Sequence, residues 1–177
     1  MKLRSFARLV LACLVAGCGS EPADDAGAYD HVMSFDSAVV RIPRQRDTLR
    51  LRVELATSPE QRTMGLMERR SLADTAGMLF VYDSIQPGDA GFWMYRTRIP
   101  LDIAFLDSAG VIRAVRSMAP CPTDVAQGCP TYAGQVPYRF ALEVKSGFFA
   151  RNGLGVGSAV LIGDLPRPGL DSARSER

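Results

Sequence analysis

Apolar and polar positions alternate with a period of two along most of the chain between residues 39 and 165. In TLRLRVELA (48–56), Leu49, Leu51, Val53 and Leu55 fall on one side, and Arg50, Arg52 and Glu54 on the other. That pattern predicts a half-buried strand, because successive side chains in a strand point to opposite faces. YRFALEV (138–144) repeats it, with Tyr138, Phe140, Leu142 and Val144 on one face, while GMLFVY (77–82) and SAVLI (158–162) are apolar runs of strand length. In GFWMYRTRIPLDIAFLDSAGVI (91–112), the turn residues DSAG divide LDIAFL from VIRAV, so a hairpin is expected there. The alternation assigns Phe92, Met94, Leu101, Ile103 and Phe105 to the core and turns Trp93 and Tyr95 outward.

Two stretches favour helix. Ser58, Pro59 and Gln61 supply an N-cap, a first-turn proline and a capping-box partner, which predicts a helix to about Met67. KSGFFARNG (145–153) is the second, with Gly153 placed to end it in the left-handed conformation. Many short strands with brief helical excursions predict a mainly β fold, an antiparallel sandwich or partly open barrel with two short helices. The Pro- and Gly-rich stretch from Ala119 to Pro137 reads as a long ordered loop, a place where function concentrates.

The ends of the chain change the picture. Residues 1–17 carry Lys2, Arg4 and Arg8, then an apolar run from Leu9 to Ala16, far short of the roughly 20 residues a membrane-spanning helix needs. This predicts an export signal. Val15-Ala16-Gly17-Cys18 resembles a bacterial lipobox, so lipid is expected on Cys18, with residues 18–38 as a flexible tether. Residues 39–165 then form a single β-rich domain and 166–177 a disordered tail. Gly19 after the lipidated cysteine favours the outer membrane, facing the periplasm, over the inner membrane. Cleavage removes three of 21 basic residues and leaves 18 against 19 acidic ones, a net charge of −1. A near-neutral mature protein implies no nucleic-acid partner. Of the four cysteines, Cys13 leaves with the signal, and Cys121 and Cys129 remain as an exported pair, expected as a disulfide. Closing that loop is worth roughly 2.5 kcal/mol on the chain-entropy account.

The inventory for catalysis is thin. The only histidine, His31, lies in the tether, which leaves the domain without a Ser-His-Asp triad, a Cys-His pair or a multi-histidine zinc site. No nucleotide-binding glycine motif precedes a helix, and no cofactor or metal is expected. Asp102, set between Leu101 and Ile103, needs a partner such as Arg96, Arg98 or backbone N–H groups if it is buried. With Glu143 it would make a carboxylate pair for hydrolysis, provided the two share a cleft. Met64, Met67, Met78, Met94 and Met118 would suit Cu(I) if their sulfurs converged, and core filling otherwise.

The stretches ELATSPEQRTMGLMERRSL, GMLFVY, FWMYRTRIPLDIAFLDSAGVI, a Pro-Cys loop and ALEVKSGFFARNGLGVGSAV together resemble domain of unknown function 192, a bacterial and archaeal family, over about Leu49 to Ile162. Relatives usually carry Lys-Asn-Thr where this chain has Tyr95-Arg96-Thr97. The resemblance implies a compact, jelly-roll-like β-sandwich, often exported or lipid-anchored, and no particular activity. Trp93, Tyr95, Arg98 and Asp102, with the 119–137 loop above them, are the expected ligand-binding surface, because Trp, Tyr and Arg dominate binding hot spots. The expectation is a monomeric module, more a binder than an enzyme, held to the membrane by Cys18, for a saccharide, a peptide or an envelope protein. A hydrolase using Asp102 and Glu143 and a copper-handling protein are the alternatives.

Overall fold

The computed structural model describes residues 33–163 and 165. The expected signal peptide (1–17), Cys18, His31 and most of the span expected as tether, and the residues from 166 on, lie outside the described residues. Eight strands form: β1 Asp36–Pro43, β2 Thr48–Ala56, β3 Ala76–Gln86, β4 Gly91–Trp93, β5 Leu101–Leu106, β6 Ile112–Met118, β7 Thr131–Ala133 and β8 Tyr138–Lys145. Two short helices interrupt them, α1 Pro59–Met64 and α2 Phe148–Arg151. Six strands make one sheet in the order β1-β2-β3-β8-β5-β6, and β4 pairs with β7 in a small second sheet. The molecule is therefore mainly β and sandwich-like, with no closed barrel.

One ladder departs from the expected antiparallel pattern. β2 and β3 run parallel, with Leu55 beside Leu79. Parallel neighbours need a crossover, which α1 and the chain after it supply. β1 was not singled out by its alternation and begins at Asp36, inside the span expected as tether; Val40 and Ile42 fill the core beneath it. SAVLI forms no strand of its own: Leu161 bridges Arg41 and Ala159 bridges Val111.

The large sheet is covered on both faces. Leu51, Val53, Leu79, Ala104, Leu142 and Val144 pack on one side with Phe148 and Phe149 of α2. Met78, Phe80, Leu101, Ile103, Phe105 and Ala141 pack on the other with Leu66, Phe92 and Met94. Every residue of β5 is consequently buried, and β8, between β3 and β5, is buried on both faces from Ala141 to Val144. Tyr138 lies beyond an irregularity in the β3–β8 ladder between Val81 and Gln86. It packs with Phe92 and Phe105 instead of sharing the face of Leu142 and Val144, because a slipped register redirects the side chains past it.

The capping box of α1 forms. Ser58 Oγ accepts from the Gln61 N–H at 3.2 Å, and Gln61 Oε1 accepts from the Ser58 N–H at 3.0 Å. The helix stops at Met64, earlier than expected, because Gly65 turns the chain at φ +48°, ψ −133°, a conformation open to glycine. That turn drops Leu66 into the core. Ser58→Ala is expected to cost about 1 kcal/mol of stability in urea denaturation. After α2, Gly153 takes the left-handed conformation at φ +64°, as its place in the sequence predicts. Cys121 and Cys129 are bonded, with Cα atoms 5.2 Å apart.

Candidate functional site

The four expected ligand-binding residues do not share one surface. β5 pairs with β8 so that Ile103 stands beside Glu143 and Asp102 beside Val144. Ile103 belongs to the core that holds Phe92, and Val144 to the core that holds Phe148. Asp102 therefore points to the face of the sheet opposite Glu143. A carboxylate pair facing one cleft is excluded by this register, and with it the geometry a two-carboxylate hydrolase requires.

Asp102 is only 3% exposed and accepts a 2.8 Å hydrogen bond from Ser117 Oγ, its cross-strand partner on β6. Neither Arg96 nor Arg98 reaches it. It borders an open depression of about 590 Å³ with Arg116, Phe149 and Leu154. Arg116 is itself engaged, donating to the carbonyls of Val115 and Gly134.

The other three residues lie together. Phe92 and Met94 are buried, so Trp93 faces out at 42% exposure, with its ring 5.4 Å from that of Tyr95. Arg98 is held by two carboxylates: its Nε donates to Glu68 at 3.1 Å and its Nη1 to Asp124, in the disulfide-closed loop, at 3.0 Å. Arg96 also donates to Glu68, at 2.6 Å. Arg98, then Arg96, hold the Glu68 carboxyl below the usual carboxylate range. These exposed pairs add little stability but tie the 119–137 loop to the strand end beside Trp93.

Arg96 adopts φ +52°. Asparagine enters that left-handed region more readily than other side-chain-bearing residues, so the asparagine that the resemblance implies here would suit the backbone. Here arginine accepts the strained backbone and gains Glu68 as partner.

Beneath Trp93 is a narrow cleft that the alternation alone does not reveal. Arg62 and Met64 of α1, Met67 after it, Phe80 of β3, Phe92 and Trp93 of β4, Thr97 and Glu143 of β8 line a space of about 20 Å³. The space holds one or two water-sized groups. Glu143 is 4% exposed, and no hydrogen bond to its carboxylate forms among the described residues. Glu143 lines the cleft, and it is not among the described polar side-chain atoms shut away without a partner, of which Arg139 Nε is the one. Burial pushes the Glu143 carboxyl up to about 8, since an apolar setting penalises the charged form.

The nearest cation is engaged elsewhere. Arg62 donates from Nη1 to the carbonyls of Thr57 and Val81, and its guanidinium lies 4.8 Å from the centre of the Tyr82 ring. Of the methionines, Met78, Met94 and Met118 are buried in the core, and Met64 and Met67 border the cleft. Five converging sulfurs, the condition for the copper reading, are absent. No group of three or more His, Cys, Asp or Glu side chains arranged for a metal occurs among the described residues.

The cleft draws on EQRTMGLM, GMLFVY, FWMYRT and ALEV, four of the stretches that carry the family resemblance. A protein from Sinorhizobium meliloti 1021, described as a candidate transcription regulator, is 32% identical with a TM-score of 0.65, the match covering 72% of this chain and 95% of that one. A protein of unknown function from Novosphingobium aromaticivorans DSM 12444 is 28% identical with a TM-score of 0.63, covering 81% of this chain and 99% of its own. No curated protein matches. The profile of the family described as Uncharacterized ACR, DUF192, matches residues 40–162, and the chain belongs to that family.

Proposed function

We propose that this protein is a lipid-anchored binding module of the cell envelope, in which the cleft over Glu143 takes a polar group of a ligand and Trp93 with Tyr95 forms the stacking face at its mouth. The observation that carries this reading is Glu143 itself. A carboxyl this deeply buried ordinarily has a hydrogen-bond partner, because leaving it without one costs on the order of 1–3 kcal/mol or more. Here the carboxyl borders open space beside an exposed indole. An unpartnered polar group on an apolar floor is the arrangement of a binding pocket whose ligand completes the hydrogen bonding.

The residues of this reading differ from those the sequence favoured. Asp102 is removed from the site by the strand register, Arg98 is occupied by Glu68 and Asp124, and Glu143 takes the central role. Anchoring through Cys18 and a periplasm-facing outer-membrane location rest on the sequence of residues 1–20. A monomer suits such a module.

Two experiments test the reading. Cys18→Ser is expected to move the protein from the membrane fraction to the soluble fraction; unchanged membrane retention would overturn the anchor. In a saturation-transfer NMR screen of small sugars, amides, amines and dipeptides, contacts are expected that Trp93→Ala abolishes while Tm stays within about 3 °C. Exposed side chains contribute little to folding stability, so a larger drop would return Trp93 to a structural role.

A further inference from the structure

We infer that the group entering this cleft is a primary ammonium, presented by an alkylamine such as a lysine side chain or a free aliphatic amine. The inference rests on the binding reading above and deepens it.

Three features of the cleft select this chemistry. Its size admits one or two water-sized groups and excludes a sugar ring, so any saccharide could stack only on Trp93 outside. Its walls are the rings of Phe80, Phe92 and Trp93, whose faces attract cations and tolerate methylenes. Its floor is a carboxyl to which no described group donates, and a primary ammonium brings three N–H donors on a slender stem. An alkyl chain behind that head would lie against the partly exposed indole.

The charges around the cleft favour such a guest despite one cation among its walls. From α1 comes Arg62, anchored to the carbonyls of Thr57 and Val81. From β3 comes Tyr82, whose hydroxyl burial keeps neutral. β4 and Thr97 contribute no charge. At the mouth, Arg96 and Arg98 are matched by Glu68 and Asp124. Glu143 is thus the one acidic group of the cleft, and no lysine or arginine forms a salt bridge with it among the described residues.

Proton balance gives the inference a signature. Below about pH 8 the empty cleft holds Glu143 as the neutral acid. Entry of an ammonium stabilises the carboxylate, and the acid proton leaves to solvent, one for each amine bound. Affinity must therefore rise with pH until Glu143 is ionised without help, by close to tenfold for each pH unit between 6 and 7.5.

Trp93 is the only tryptophan of the chain, so its fluorescence reports occupancy directly. The probes are n-butylamine and Nα-acetyl-lysine amide, with n-butanol and the Nε-acetylated lysine derivative as neutral counterparts. Saturable changes at least tenfold tighter for the amines, strengthening with pH and abolished in Glu143→Gln, are expected. Preference for the lysine derivative over butylamine would identify a peptide source, and the reverse a free amine. Equal response to amines and neutral counterparts, or equal binding by Glu143→Gln with an intact thermal transition, would overturn the inference. Should an amide or sugar saturate the signal in a Trp93-dependent way while amines do not, the amine falls and the binding cleft stands; if no probe saturates it, both fall.

Discussion

Glu143→Gln is expected to stabilise the ligand-free protein at pH 8 and to leave it nearly unchanged at pH 4. The sign follows from the direction of the shift. The folded-state carboxyl titrates near 8 and the unfolded one near its ordinary value of 4.5, so the folded protein binds more protons between those limits. Stability from this group is fully present below pH 4.5 and is lost as pH rises through 8. At pH 8 the difference reaches roughly 4 kcal/mol as a ceiling, and water entering the cleft will reduce it. Glutamine has the shape of the neutral acid and escapes the loss. Urea denaturation at the two pH values measures it. A variant less stable than wild type at pH 8 would mean that the carboxylate has an internal partner, contrary to the geometry described.

Phe105→Ala is expected to cost about 3–5 kcal/mol, a large share of the 5–15 kcal/mol by which domains of this size are stable. Phe105 is wholly buried on β5, with its ring 5.0 Å from that of Tyr138 and 5.8 Å from that of Phe92. Phe92 in turn meets Phe80 edge to face at 4.9 Å. The chain of rings joins the central sheet to the small β4–β7 sheet, and Trp93 follows Phe92 directly. Truncation removes both the transfer free energy and the close packing that holds the small sheet in place. A loss below 1 kcal/mol would mean that β4 is fixed by other contacts. A loosened β4 should also broaden the Trp93 fluorescence response, since the indole forms the mouth of the cleft.

The parts of the fold legible in the sequence are those fixed by neighbours along the chain. Leu51, Val53 and Leu55 alternate with Arg50, Arg52 and Glu54 because β2 has one wet face at that end, and Ser58 and Gln61 meet because a helix brings residues three apart together. The hairpin at DSAG and the Cys121–Cys129 bond are local for the same reason. What failed depends on which strands become neighbours. Alternation gives Asp102 a face of β5 but not whether another layer covers that face, and packing on both sides buries all six residues. The parallel contact of β2 with β3 and the change of face at Tyr138 come from pairing and register, which no single stretch encodes.

The candidate site was legible in its exposed half. Trp93 faces outward because Phe92 and Met94 do not, and that much follows from the period of two, while Tyr95 lies half-buried in the turn after β4. Its buried half was not, since Glu143 lies fifty residues from Trp93 and meets it only because β8 occupies the centre of the sheet. The stretches that carry the family resemblance meet at this cleft, but their order along the chain does not show it. Asp102 drew attention as a carboxylate in an apolar run, yet Ser117 satisfies it, whereas the equally apolar setting of Glu143 supplies no partner.

The most direct measurement is a pH titration of the Glu143 side-chain carboxyl by ¹³C NMR, with and without saturating n-butylamine. A midpoint near 8 in the free protein, moving toward the ordinary carboxylate range when the amine binds, is the expected result. A midpoint near 4.5 in both samples would contradict the account, since it would mean that Glu143 is already charged and partnered in the empty protein.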